Sequence, residues 1–97
     1  MYFITTLRVL DDCVIDDCRT ICMSNSYGYC YDGVMKNAVD MFEDGYYNYA
    51  VIIFVEEGFY PSQVEQSWFK YEKGKVELLP IYRRPEEIGD YQIYIIG

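Results

Sequence analysis

Residues 47–55 read Tyr47-Asn48-Tyr49-Ala50-Val51-Ile52-Ile53-Phe54-Val55, and the fold turns on how that stretch is read. Both alternating sets, Tyr49/Val51/Ile53 and Ala50/Ile52/Phe54, are apolar. Side chains alternate between the two faces of a strand, so a strand apolar on both belongs at the centre of a sheet. The run is also far shorter than the ~20 apolar residues a bilayer-spanning helix needs, and no membrane association is expected.

Upstream, Tyr2 to Leu10 is rich in β-branched and aromatic residues and predicts a strand. Asp11 to Asp17 reads as a turn, and Cys18 to Met23 as a second strand. Such a hairpin pairs Leu7 and Val9 with Ile21 and Arg19 on one face, leaving Cys18, Thr20 and Cys22 together on the other. Ser24-Asn25-Ser26 supplies helix-capping side chains, and a helix is expected from about Tyr27 towards Met41. Its inward stripe is Tyr27, Cys30, Val34, Ala38 and Met41. Gly28 and Gly33 each cost that helix up to about 1 kcal/mol, so packing must hold it. Glu43-Asp44-Gly45 ends it.

Downstream, Glu56 to Pro61 reads as a loop. Ser67 to Glu72 and Lys75 to Leu79 flank a Lys73-Gly74 hairpin signal. Pro85 to Ile88 starts one helical turn, and Tyr91 to Ile96 alternates as a closing strand. The predicted class is α+β, a small, mostly antiparallel sheet of five to six strands with one main helix on one face, ordered β-β-α-β-β-β. Residues 1–97, about 11.5 kDa, form a single domain.

Composition narrows the function. Apolar residues make up 52% and aromatics 19%, with 12 tyrosines, which excludes intrinsic disorder. A net charge of −8 argues against direct contact with phosphate backbones, which Lys and Arg normally meet. Histidine is absent, so no Ser-His-Asp or Cys-His arrangement can form within the chain. Neither a G-x-S-x-G elbow nor a phosphate-binding Gly-rich loop occurs, and enzymatic activity is not expected. Met1-Tyr2-Phe3-Ile4 lacks the basic start of a secretory signal, which suggests a cytosolic location.

Cys13, Cys18, Cys22 and Cys30 fall within 18 residues, spaced C-x4-C-x3-C-x7-C. Disulfides are not expected in a reducing cytosol, and zinc is the functional alternative. On one extended strand Cys18 and Cys22 would stand roughly 13 Å apart, too far for a shared ion. Cys13 and Cys18 bracket the predicted turn, with Asp12, Asp16 and Asp17 beside them as oxygen ligands. Three readings stay open: a zinc site on Cys13 and Cys18, a single site on all four, or plain unligated thiols.

Acidic residues come in pairs, Asp11-Asp12, Asp16-Asp17, Glu43-Asp44, Glu56-Glu57 and Glu86-Glu87, most of them at predicted turns. Like charges on loops are ordinarily a solvated surface, yet this many attract basic surfaces and speed association with them. The commonest basic surfaces in cells are the channels of nucleic-acid-handling proteins. Tyr29 and Tyr31 stand off the main helical stripe and Tyr46-Tyr47 just before the central strand, where partly exposed rings supply contact area to a partner.

The opening Met1-Tyr2-Phe3-Ile4-Thr5-Thr6, the block Glu43 to Ile52, the loop Glu57-Gly58-Phe59-Tyr60-Pro61, Trp68-Phe69-Lys70-Tyr71 and Pro85-Glu86-Glu87 carry a resemblance. Together they resemble a family of small acidic proteins from Gram-positive bacteria, their phages and mobile elements. In size and character the chain is similar to type II anti-CRISPR proteins, inhibitors of Cas9, at least one of which is a metalloprotein. That resemblance implies a non-enzymatic inhibitor in the bacterial host cytosol. Taken with the acidic pairs and tyrosines above, the expectation is that it binds a Cas9-type nuclease through Asp11, Asp12, Asp16, Asp17, Tyr29, Tyr31, Glu43, Asp44, Tyr46, Glu56 and Glu57, and blocks DNA loading. The competing expectation is a zinc-bound structural or regulatory module with no anti-nuclease role.

Overall fold

In the computed structural model, residues 1–11, 14–55, 63–80 and 85 are described, without the side chains of 63–65. Among the described residues are five strands and one α-helix: β1 (Tyr2–Val9), β2 (Ile15–Ser24), α1 (Tyr27–Met35), β3 (Tyr49–Val55), β4 (Gln63–Glu72) and β5 (Lys75–Leu78). All neighbours in the sheet are antiparallel, in the order β2-β1-β3-β4-β5, with α1 packed on one face. The fold is α+β with the expected element order, and β3 is central.

The two apolar sets of β3 generate two cores. Ala50 and Ile52 join Ile4, Phe69, Cys30, Val34, Met41, Phe42 and Tyr47 under the helix. Tyr49, Val51, Ile53 and Val55 join Leu7 and Trp68 on the opposite face. Register makes these layers fit: Ala50 sits beside Phe69 and Val51 beside Trp68, a small or short side chain next to each large ring. Among the described residues no buried side-chain nitrogen or oxygen lacks a hydrogen-bond partner. Thr5 Oγ1 lies 2.9 Å from Thr20 Oγ1, and Trp68 Nε1 donates to Gln66 Oε1 at 2.9 Å.

Several boundaries differ from expectation for physical reasons. Strand β2 starts at Ile15 rather than Cys18, because Asp17 pairs with Arg8 and Ile15 with Val9. The turn therefore contracts, closed by Leu10 N–H donating to the Val14 carbonyl at 2.9 Å. Cys22 pairs with Ile4 but Thr20 with Thr5, so Ile21 is an extra residue in a β-bulge. The bulge breaks the alternation. Leu7 stands opposite Cys18, not Ile21, and Cys18 faces the Trp68 core while Ile21 and Cys22 both pack under the helix. The expected grouping of Cys18, Thr20 and Cys22 on one face is thereby corrected, as is that of Arg19 with Leu7, since Arg19 pairs with Thr6.

Helix α1 begins as expected: Ser26 Oγ accepts from Tyr29 N–H at 3.2 Å. It stops at Met35 instead of running on to Met41, because Asn37 adopts left-handed backbone (φ 49°) and its Oδ1 accepts from Phe42 N–H at 3.0 Å. Two 3-10 turns, Ala38–Asp40 and Glu43–Gly45, carry the chain onward. Met41 reaches the core nonetheless, folded in by those turns. The hairpin at Lys73-Gly74 has both residues at positive φ (53° and 77°), which explains glycine in the second position. The loop expected at Glu56–Pro61 and the strand expected at Tyr91–Ile96 lie outside the described residues, as does the turn at Pro85–Ile88 apart from buried Pro85.

Asn48 ties β1 to the rest of the sheet where regular pairing ends. Its side chain accepts from Val9 N–H and donates to the Val9 carbonyl, each at 2.8 Å, while its backbone bonds Leu7 and Tyr71. Asn48→Ala strands both Val9 groups, and stability should fall by about 2 kcal/mol, read as a lower urea midpoint at unchanged slope. Val39 is the opposite case: a β-branched residue at φ 49° that is 93% exposed, strained with little burial in return. Val39→Asn, which tolerates that conformation, should raise stability by about 1 kcal/mol in the same assay.

Candidate functional site

At one end of the sheet the β1–β2 turn, the start of β2 and the two 3-10 turns converge. Arg8 holds this end from β1: its Nε lies 3.5 Å from Asp16 Oδ2, its NH1 donates to the Tyr46 carbonyl at 3.1 Å, and its guanidinium stacks 4.6 Å above the Tyr46 ring. Arg19, two residues along β2 from Asp17, pairs with Glu43 at 3.3 Å and covers the Tyr47 ring at 5.5 Å. The Tyr46 hydroxyl donates to Asp17 Oδ2 at 2.9 Å, and that of Tyr47 reaches the same oxygen at 3.4 Å. The two rings meet edge to face, 4.9 Å apart. Asp40 Oδ1 accepts from Asp44 N–H at 3.2 Å, and Asp11 lines a cleft of about 480 Å³ with Arg8, Gly45, Tyr46 and Asn48.

Four carboxylates (Asp11, Asp16, Asp17 and Glu43) thus stand about the two guanidinium groups and their tyrosines, Asp40 and Asp44 follow in the adjoining 3-10 turns, and the end keeps a net negative charge. Exposed ion pairs of this kind contribute only about 0–1 kcal/mol each, so they orient side chains more than they stabilise the fold. The connecting segment is strained. Asn37, Val39, Asp40, Glu43 and Asp44 all have positive φ without being glycine, a conformation that persists only where surrounding contacts impose it. The Asp17 carboxylate also acts on the tyrosines. Its hydrogen bond holds the Tyr46 hydroxyl above the ordinary tyrosine pKa, and burial followed by the Asp17 charge does the same for Tyr47.

Of the expected partner-binding residues, Asp11, Asp16, Asp17, Glu43, Asp44 and Tyr46 are brought to this one end. Tyr29 stands elsewhere, 66% exposed on α1 in the wall of a second cleft with Asp32, Lys36 and Val39. Tyr31 turns towards the sheet, half-buried, its ring 5.9 Å from that of Phe69. Asp12, Glu56 and Glu57 lie outside the described residues. Sequence reading missed Arg8, Arg19, Tyr47 and Asp40 as members of the site. The one available signal was the placement of Arg8 and Arg19 on strands bordering the acidic turn, and it required the correct register.

The cysteines divide between the two faces. Cys18 packs beside the Leu7 core, whereas Cys30, on the inward face of α1, and Cys22, on the sheet beneath it, share the core under the helix and interact electrostatically. Cys13 is outside the described residues. Among the described residues, no group of three or more His, Cys, Asp or Glu side chains is arranged to hold a metal ion. Nor is any described helix long and apolar enough to cross a membrane. Comparison with protein-family models, with curated proteins and with solved structures finds no match.

Burial, with the Cys22 thiol adding to it, pushes the Cys30 thiol up from 9.0 to about 11. In the unfolded chain this thiol ionises near 9.0 while the folded protein keeps it protonated, so the stabilisation is whole below pH 9 and lost as pH rises through about 11. Urea midpoints measured from pH 8 to 11 should therefore fall more steeply for the native protein than for Cys30→Ala. Equal slopes would remove Cys30 as the cause.

Proposed function

We propose that this protein is a non-enzymatic binding protein that places its acidic end on the basic surface of a nucleic-acid-handling nuclease and blocks DNA loading. A Cas9-type effector is the target that the family resemblance implies. The observation that carries this reading is the convergence of Asp11, Asp16, Asp17, Asp40, Glu43 and Asp44 on one end of the sheet, beside the exposed edge of Tyr46.

Three of these carboxylates are held in place before any partner arrives, Asp16 by Arg8, Glu43 by Arg19 and Asp17 by two tyrosine hydroxyls. Groups already ordered lose less side-chain entropy on binding. Asp11 and Asp44 make no ion pair within the described residues, and they are the side chains best placed to meet Lys or Arg on a partner. Tyr46, 41% exposed, adds aromatic contact area at the same place. Inhibition then follows from occlusion, with no covalent step.

The test pairs a pull-down with a DNA-cleavage assay across several Cas9 proteins. The native protein should bind and inhibit, more weakly as salt rises. Asp11→Lys/Asp44→Asn, which keeps a side chain tolerant of the left-handed backbone at position 44, should keep its urea midpoint and lose tenfold or more in affinity, about 1.4 kcal/mol or above. No binding to any member of the panel at micromolar concentration, or a double variant that binds as well as the native chain, would overturn the reading.

A further inference from the structure

We propose that Cys22 and Cys30 form a redox-active thiol pair, open to low-molecular-weight disulfides of the glutathione type and convertible to an intramolecular disulfide that ties β2 to α1. Three independent features of the fold bring this pair about. The bulge at Ile21 turns Cys22 out of the alternation of β2 and under the helix. Cys30 occupies the inward stripe of α1 and is fully buried, one turn after the Ser26 cap. Cys18, which strict alternation would have placed on the same face as Cys22, is removed to the far face and does not compete.

Access is unequal. Cys22 is half-buried and lines a cleft of about 470 Å³ between β2 and α1, with Ile4, Ile21 and Met41 as further walls and Asp32 and Lys36 among its polar lining. Cys30 lies behind it, out of contact with solvent. This is the division of labour that a two-thiol exchange requires, an accessible attacking sulfur and a secluded resolving one. The upward-shifted Cys30 thiol agrees with that assignment, since it leaves Cys22 as the first nucleophile.

The step balances as an ordinary thiol–disulfide exchange. The Cys22 thiolate attacks one sulfur of the small disulfide, forming a mixed disulfide and releasing one small thiolate. Cys30 gives up its proton and attacks Cys22 Sγ, forming the Cys22–Cys30 bond and expelling the second small thiol. Two protein thiols are oxidised, and one small disulfide is reduced to two thiols.

The probe is oxidised glutathione, added to the native reduced protein in the presence of a metal chelator, so that bound zinc cannot mask thiols. After alkylation, two of the four thiols should be protected. Chymotryptic cleavage after Tyr27 or Tyr29 separates the two cysteines in sequence, so the fragments should remain linked until reduced. Cys18→Ala should preserve the link. In Cys30→Ala, Cys22 should accumulate instead as a stable glutathione adduct, and Cys22→Ala should leave Cys30 alkylatable only on unfolding. Four alkylatable thiols after prolonged exposure would overturn the proposal. So would a Cys13–Cys18 link in its place, or a Cys22–Cys30 link that appears only in denaturant. None of these outcomes bears on nuclease binding, which stands or falls separately.

Discussion

A strand apolar on both faces has one stable place, and the rest of the molecule is arranged around that requirement. Seven consecutive residues of β3, from Tyr49 to Val55, carry no charged side chain, and all but Phe54 are buried. At roughly 1.5–3 kcal/mol for each large aliphatic side chain removed from water, leaving either face open would cost more than a small domain's whole net stability. Helix α1, nine residues with two internal glycines, cannot cover both faces. Hence the layered outcome: the helix and its 3-10 extension take one face, and Trp68, Leu7 and Leu79 build a second core on the other.

That central constraint pushes the chemistry outward to the sheet's edge. Among the described residues β2 is an edge strand, pairing with β1 alone, and edges are where bulges and charged side chains are tolerated and even useful against unwanted pairing. Asp16, Asp17 and Arg19 lie on β2, and the Ile21 bulge interrupts it. The same irregularity that blunts the edge also decides which thiols meet. One inserted residue separates Cys18 from Cys22 by the full thickness of the sheet and sets Cys22 against Cys30.

What could be read from residue order follows from which signals are local. The central position of β3 is a property of its own two alternating sets, the start of α1 a property of Ser26, and the β4–β5 turn a property of Lys73-Gly74; all three are as expected. The bulge, by contrast, depends on how β1 and β2 slide against each other, and nothing within Cys18 to Met23 announces it. Helix α1 ends at Met35 although Ala38 and Met41 continue a helical stripe, because an Asn37–Phe42 hydrogen bond, formed only in the folded turn, competes with propagation. The acidic turns were legible as acidic, but their convergence was not. It needs Arg8 at the end of β1 to face both Asp16 and, 38 positions along the chain, Tyr46.

The internal pairing at the acidic end bears directly on how it could bind. Carboxylates tied up in strong buried pairs would be lost to a partner, because breaking such pairs is costly. These pairs are exposed, with both side chains of Arg8–Asp16 and of Arg19–Glu43 more than a third accessible, and each is worth little on its own. A partner guanidinium or ammonium can therefore join Asp16 or Glu43 without displacing the internal arginine, since a carboxylate accepts several donors. Asp17 is different. Two tyrosine hydroxyls already occupy one of its oxygens, so its larger role is to fix the Tyr46 and Tyr47 rings edge to face and hold Tyr46 at the surface. An anionic surface organised this way keeps its charge and lowers its flexibility at once, two properties that a tyrosine-free acidic loop could not combine.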